Sequence, residues 1–472
     1  MATLPRCRLC GFLVIFLSVL GGAPATAVRL PLTRVATSTA ADQRGELTRQ
    51  AAVSLRRARH LKDPERRRRS SSTGPSRTPL ASHSYGGYSL TLGIGTPPQR
   101  IPLVLDTGSD LVWVPCTRSY LCSDCPGGAA AARGPVFFPR SSSSVKLIGC
   151  RNPKCSWIHP PDFLSRCRYC PVNGSQPDCS PACPPYTVLY GSGSTGGLLL
   201  SESLQIAAGD SAVANVAVGC SLFSSRQPPA GIAGFGRGPA SLPSQLGLRR
   251  FSYCLVSRRY DDSAGEHGTA ELGGAPASSI DGLSFTPLLQ NPSLGSPFSG
   301  YYYLCLRRIT VDGKKVKIPH AALVPLPAGD GGTIIDSGTT FTYMEERIFE
   351  PVARAIERRV AGRYNRSAAA EELTGLRPCF SPAAEGDDLS LPELAFHFKG
   401  GAAMRLPVGN YFAVAGSSGA AVCLTVVTDA GEAAGGGPSI ILGSFQQQNY
   451  YMVFDLDQER IGFRRQSCLE SR

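Results

Sequence analysis

The sequence predicts an all-β fold built as two lobes, and three observations predict it. Gly (52) and Pro (38) are abundant in a chain that is 42% hydrophobic and only 18% charged, a balance that favours short strands and frequent turns over long helices. At 472 residues the chain exceeds the size at which one hydrophobic core usually stops growing. It also carries an approximate internal repeat. Val104-Leu105-Asp106-Thr107-Gly108-Ser109 is followed by Gly231-Ile232-Ala233-Gly234-Phe235-Gly236, and Ile334-Ile335-Asp336-Ser337-Gly338-Thr339 is followed by Ile440-Ile441-Leu442-Gly443. The two Asp residues stand 230 positions apart, about half of the chain, as duplication requires.

At the amino terminus, Arg6 and Arg8 precede an apolar run from Gly11 to Leu20, and Ala25-Thr26-Ala27 offers a small-residue cleavage site. Residues 1–27 are therefore expected to be a signal peptide, since the run is too short to span a membrane. The carboxyl terminus lacks the hydrophobic tail of a lipid anchor, so a soluble secreted protein without a membrane span is expected. The net charge of +13 would suit a nucleic-acid partner, but residues 28–80 hold thirteen Lys or Arg against four Asp or Glu. The basic excess belongs to this leader, and no nucleic-acid partner is expected. The leader reads as a propeptide or a disordered tail, ending in the run Arg66-Arg67-Arg68-Arg69.

From Tyr85 the pattern turns to alternating apolar and small polar residues, as in Tyr88 to Gly95, then a Thr96-Pro97-Pro98 turn and another strand to Leu105. An amino-terminal lobe over 81–250 and a carboxy-terminal lobe over 251–472 follow. Within the first, 116–183 is a Cys-, Pro- and Ser-rich insertion expected to be a surface subdomain stapled by disulfides. Seventeen Cys, fifteen after the signal, imply an oxidising compartment, and the odd count leaves a thiol over. Cys305, inside the strand-like run Tyr301 to Leu306, is the candidate. Cys122-x-x-Cys125 and Cys167-x-x-Cys170 have zinc-knuckle spacing, but in a secreted chain disulfides are the expected use.

A strand that delivers Asp into a tight turn needs Gly for the turn and a small hydroxyl neighbour to orient it. Asp106-Thr107-Gly108 and Asp336-Ser337-Gly338 both fit. If the two turns face each other, the carboxyls cannot both ionise cheaply and come to share a proton. One then activates water as general base while the other hydrogen-bonds the carbonyl under attack. Neither metal nor other cofactor is required.

These motifs, together with Ile94 to Gln99, Gly231 to Leu246 and Ile441 to Tyr450, resemble the pepsin-like aspartic proteases, specifically the plant nepenthesin-type branch, over residues 85–468. That family is the standard example of two carboxyls sharing one proton. The resemblance implies a bilobal, pseudo-two-fold fold and a secreted endopeptidase, working on peptide or protein substrates at acidic pH. It implies Asp106 and Asp336 as the catalytic pair, with Ser109 and Thr339 as their outer hydrogen-bond partners. It makes Tyr190 the flap tyrosine and Trp113 the residue that hydrogen-bonds it. It also implies pairing of Cys379 with Cys423 and of Cys254 with Cys468, apolar side chains beside the scissile bond, a monomer, and a cell-wall or apoplastic location, with the vacuole as the alternative. Two readings of the leader stay open: Asp42 to Leu61 is a helix over the cleft that pairs with its acids until pH falls, or a solvated linker. Asn173-Gly174-Ser175 and Asn365-Arg366-Ser367 fit the N-glycosylation pattern. A rival class, a non-catalytic inhibitor of glycan hydrolases on the same scaffold, is disfavoured by the survival of both Asp residues and Tyr190.

Overall fold

The computed structural model describes residues 27–34, 43–62 and 87–469, the last span without 124–134, 160, 168–181, 191–192, 208–209, 229, 258–266, 275–279, 292–297, 328, 383–389, 416–420 and 430–435. The signal segment, the run Arg66 to Arg69, Cys125, Cys170, Cys179 and Asn173 lie outside the described residues. Strands predominate, as predicted.

The repeat seen in the sequence becomes a repeated strand arrangement. In the first half, the strands β1 (Val28–Arg34), β2 (Tyr88–Ile94), β3 (Gln99–Asp106) and β4 (Trp113–Pro115) follow in chain order, with the helix α1 (Gln43–Lys62) between β1 and β2. Strand Ile232–Gly234 lies parallel to β3, with Gly234 opposite Asp106, and antiparallel to β4. In the second half, strand Ile440–Leu442 lies parallel to Thr333–Ile335 and antiparallel to Thr342–Met344. Each Asp is thus carried at the end of a strand whose parallel neighbour is an apolar segment ending at Gly. Buried on both faces, these strands read as continuous apolar runs rather than alternating ones.

A large antiparallel sheet joins the halves. Its strands run from Ser284–Pro287 through Arg460–Arg465, Tyr450–Asp455, Arg250–Cys254 and Gly268–Leu272 to β1, and thence to β2. The leader therefore supplies an interior strand of the body: Val28 to Leu32 pair with Leu272 to Gly268, and Thr33 and Arg34 with Ser89 and Tyr88. Folding begins before Tyr85 because Leu30 and Leu32 are apolar and fully buried between two strand edges that would otherwise be open. At the seam Phe251 stacks on Phe454 at 4.4 Å between ring centroids, and Phe235 meets Phe251 edge-on at 5.2 Å. Each such buried ring contributes about 1.5–3 kcal/mol through its transfer from water.

The disulfides follow the implied pairings, Cys254–Cys468 and Cys379–Cys423, and add Cys116–Cys220, Cys150–Cys167 and Cys155–Cys183. Cys167 is thereby committed to a disulfide, as are the two Cys beside His159, so none of these sulfurs is a metal ligand. Cys305 is buried and outside the described disulfides. The Cys-rich insertion is more than the stapled surface appendage expected from its composition. Its Ile148 and Phe163 pack with Trp113, Tyr186 and Tyr190, and Cys116 reaches outside it to Cys220 in a central strand. Among the described residues no helix is long and apolar enough to cross a membrane.

Candidate active site

Asp106 and Asp336 end their strands at the junction of the halves, both buried. The backbone fixes each from its parallel neighbour: Phe235 N donates to Asp106 O at 2.7 Å, and Asp336 N donates to Leu442 O at 3.0 Å. The side chains are held in matching fashion. Asp106 accepts from Gly108 N at 3.0 Å and from Ser109 Oγ at 2.6 Å; Asp336 accepts from Gly338 N at 2.9 Å and from Thr339 Oγ1 at 2.6 Å. The two turns also grip each other. Thr107 N donates to Ser337 Oγ at 3.1 Å, and Ser337 N donates to Thr107 Oγ1 at 2.9 Å.

Glycine is required at both turns by close approach. A Cβ at Gly108 would stand 2.6 Å from Asp336 Oδ1, and one at Gly338 would stand 2.3 Å from Asp106 Oδ1. The same contacts show that each carboxyl lies over the opposite turn, which brings the two carboxyls together. All eight residues predicted around the pair, 106–109 and 336–339, are brought together.

Tyr190 sits at the base of a tight hairpin, where its N donates to Gly193 O at 2.7 Å, between strand Tyr186–Leu189 and strand Ser194–Gln205. Trp113 Nε1 donates to the Tyr190 hydroxyl at 2.9 Å, the contact the resemblance implied. Burial raises the affinity of that phenol for its proton, and the charge of Asp106 adds to this, so Tyr190 stays neutral.

Sequence reasoning did not single out Arg57. Helix α1 turns Leu47, Ala51, Ser54, Ala58 and Leu61 toward the second half, a stripe at helical spacing, and Arg57 shares that face. Ser54 Oγ accepts from Phe341 N at 2.8 Å, which pins the helix two residues beyond Thr339. Arg57 then lies between the aspartates, with Nη2 2.6 Å from Asp106 Oδ1 and Nε 3.2 Å from Asp336 Oδ2. The helix ends at Lys62, whose ammonium donates to Glu345 Oε1 and to the Tyr343 hydroxyl, 3.1 Å away. The only signal of this in the sequence was a helix-forming stretch with many basic residues. Which of them meets an acid depends on helix phase and docking.

Charges respond accordingly. Burial is the largest influence on both aspartates and favours their neutral forms. At Asp106 the Arg57 charge, with the Ser109 and Arg57 hydrogen bonds, outweighs burial and holds the carboxyl below its usual range. At Asp336 burial prevails over Arg57, and the negative charge of Asp106 adds to it, so this carboxyl is held above its usual range. Asp110, on the turn after Asp106, is pushed up to about 6 by burial, against the opposing hydrogen bond from Gly238 N.

Comparison with known proteins agrees with this architecture. The families described as xylanase inhibitor N-terminal and xylanase inhibitor C-terminal match residues 88–274 and 301–465. Nepenthesin-2 of Nepenthes gracilis is 32% identical, over 87% of this chain and 85% of its own length. Aspartyl protease family protein 2 of Arabidopsis thaliana is 34% identical, over 82% of this chain and 72% of its own. Among solved structures, basic 7S globulin from soybean matches with a TM-score of 0.60 at 20% identity, covering 94% of this chain and 98% of its own, a likeness of fold. The chain belongs to the pepsin-like aspartic proteases, in the nepenthesin-type branch.

Proposed function

We propose that the protein is a secreted aspartic endopeptidase, made as a zymogen, that hydrolyses protein substrates at acidic pH with Asp106 and Asp336 as its catalytic pair. The observation that carries this reading is the matched pair of buried carboxyls, each held by its own turn and lying over the other's. Once the cleft is free, the ionised carboxyl takes a proton from a water molecule whose oxygen attacks the peptide carbonyl. The protonated carboxyl donates to the carbonyl oxygen, giving a gem-diol. Return of the proton to the amide nitrogen breaks the C–N bond and releases acid and amine. Tyr190, steadied by Trp113, closes over the extended peptide.

Helix α1 supports the zymogen part, because a cation between the carboxyls excludes both water and substrate from them. One chain supplies both carboxyls, so a monomer suffices. The disulfides favour a secreted, oxidised compartment, in the cell wall, apoplast or vacuole. Asn365 is exposed and open to glycosylation. Acid-treated full-length protein is expected to degrade an unfolded substrate, to be blocked by a statine-type peptide, and to lose activity in Asp106→Asn; undiminished cleavage by that variant would refute the assignment.

A further inference from the structure

We propose that the pocket filled by Lys62 becomes, once the leader has gone, a substrate subsite for a lysine or arginine side chain, with Glu345 as its specificity-determining carboxylate. This rests on the endopeptidase reading above and adds a side-chain preference to it.

Lys62 is almost wholly buried. Its ammonium meets Glu345 Oε1 and the Tyr343 hydroxyl, and stands 5.1 Å from the centre of the Tyr343 ring, within cation–π range. The carboxylate is fixed from its other oxygen, where Oε2 accepts from Arg347 Nε at 2.7 Å and from Ser439 Oγ at 2.8 Å. These partners belong to the second half itself and remain when α1 leaves. Oε1 and the Tyr343 hydroxyl then lose their cation. The charged groups around them are Asp429, whose charge acts on the Tyr343 phenol, Glu345 itself and the half-exposed Arg347, with Arg59 contributed by the departing helix. Asp330 stands behind the adjoining loop and accepts from Gly437 N at 2.8 Å. The acids outnumber the one resident cation.

Position makes the pocket part of the cleft. Lys62 follows Arg57 by five residues, roughly 7.5 Å along a helix. An extended peptide covers that distance in about two or three residues. A substrate side chain two or three positions from the scissile bond therefore reaches Glu345. Its stem would lie against Tyr343 and Tyr301, as a long cationic side chain prefers. Departure of Lys62 leaves Glu345 Oε1 without its cation, so an incoming one restores the ion pair that the leader made.

The test profiles the acid-activated full chain on peptides in which each position flanking the scissile bond is lysine, arginine, norleucine or glutamate. At one position, two or three residues from the cut, kcat/KM is expected to be about tenfold higher with Lys or Arg than with norleucine, as a hydrogen bond to a charged group would give. In Glu345→Gln the ratio falls to about one; being a ratio, it is unaffected by the amount of active enzyme. Should that variant not fold, Glu345→Asp, which keeps the charge and shortens its reach, must lower the same ratio. Cleavage of norleucine peptides with no basic preference in the wild type, or a preference unchanged by either substitution, overturns the subsite and leaves the endopeptidase reading standing. Failure to cleave any peptide overturns both.

Discussion

Arg57 makes the two aspartates unequal. Their hydrogen-bond partners match residue for residue, yet the guanidinium's Nη2 lies closer to Asp106 than its Nε does to Asp336, and so favours ionisation of Asp106 more strongly. The supporting residues act through geometry. Ser337 Oγ accepts from Thr107 N and donates to Leu105 O at 2.9 Å, so it bonds the opposite turn twice. Ser337→Ala is expected to cost about 1–3 kcal/mol, because Thr107 N is left buried without an acceptor. Denaturant unfolding should show a lower midpoint than in wild type; an unchanged midpoint would mean that the grip between turns carries no stability. At this scale the sequence was legible. The Asp-Thr-Gly and Asp-Ser-Gly motifs place their own ligands within three residues, and local spacing is information that a sequence contains.

At the scale of elements, α1 gives the leader a pH-dependent hold. Burial of Asp106 opposes ionisation, but Arg57 more than offsets it and depresses the carboxyl. Docking energy is thus fully present above the pKa that Asp106 has without the helix, and is lost as pH falls through the docked value. Glu345 has the same sign: burial raises it, while Lys62 and Ser439 bring it below the usual range. Both contacts weaken on acidification, so the helix is expected to leave as the pH enters and passes below the carboxylate range. Removing one member of such a buried ionic set typically costs about 3–5 kcal/mol. Arg57→Ala should therefore shift the midpoint of activation to higher pH, read with a fluorogenic peptide as the pH is stepped down. Latency that persists at wild-type pH would show that the helix does not control access. The sequence left this element open between an inhibitory helix and a solvated linker. An α-helix turns about 100° per residue, and only the surface that receives it selects a face.

Across the whole molecule, long-range ties join segments that sequence motifs treat separately. Cys254–Cys468 spans 214 residues and fastens the chain end to the strand Arg250–Cys254, in the same sheet that holds β1. Replacing both cysteines by serine is expected to cost about 2–5 kcal/mol. Thermal unfolding should shift downward, and an unchanged midpoint would show that the sheet holds the terminus without the bond.

Composition and the duplicated motif by themselves determined the β class, the two halves, the paired aspartates with their flanking hydroxyls, and the oxidised state of the cysteines. Each of these depends on residue type and on short spacing along the chain. Tertiary structure alone decided that the leader begins inside the central sheet, that the Cys-rich insertion supports Trp113 and Tyr190, and that Arg57 and Lys62 meet Asp106, Asp336 and Glu345. The ion pairs of Arg57 and Lys62 join residues 49 to 283 positions apart. They arise from packing one surface against another, which residue order does not specify until the chain has folded.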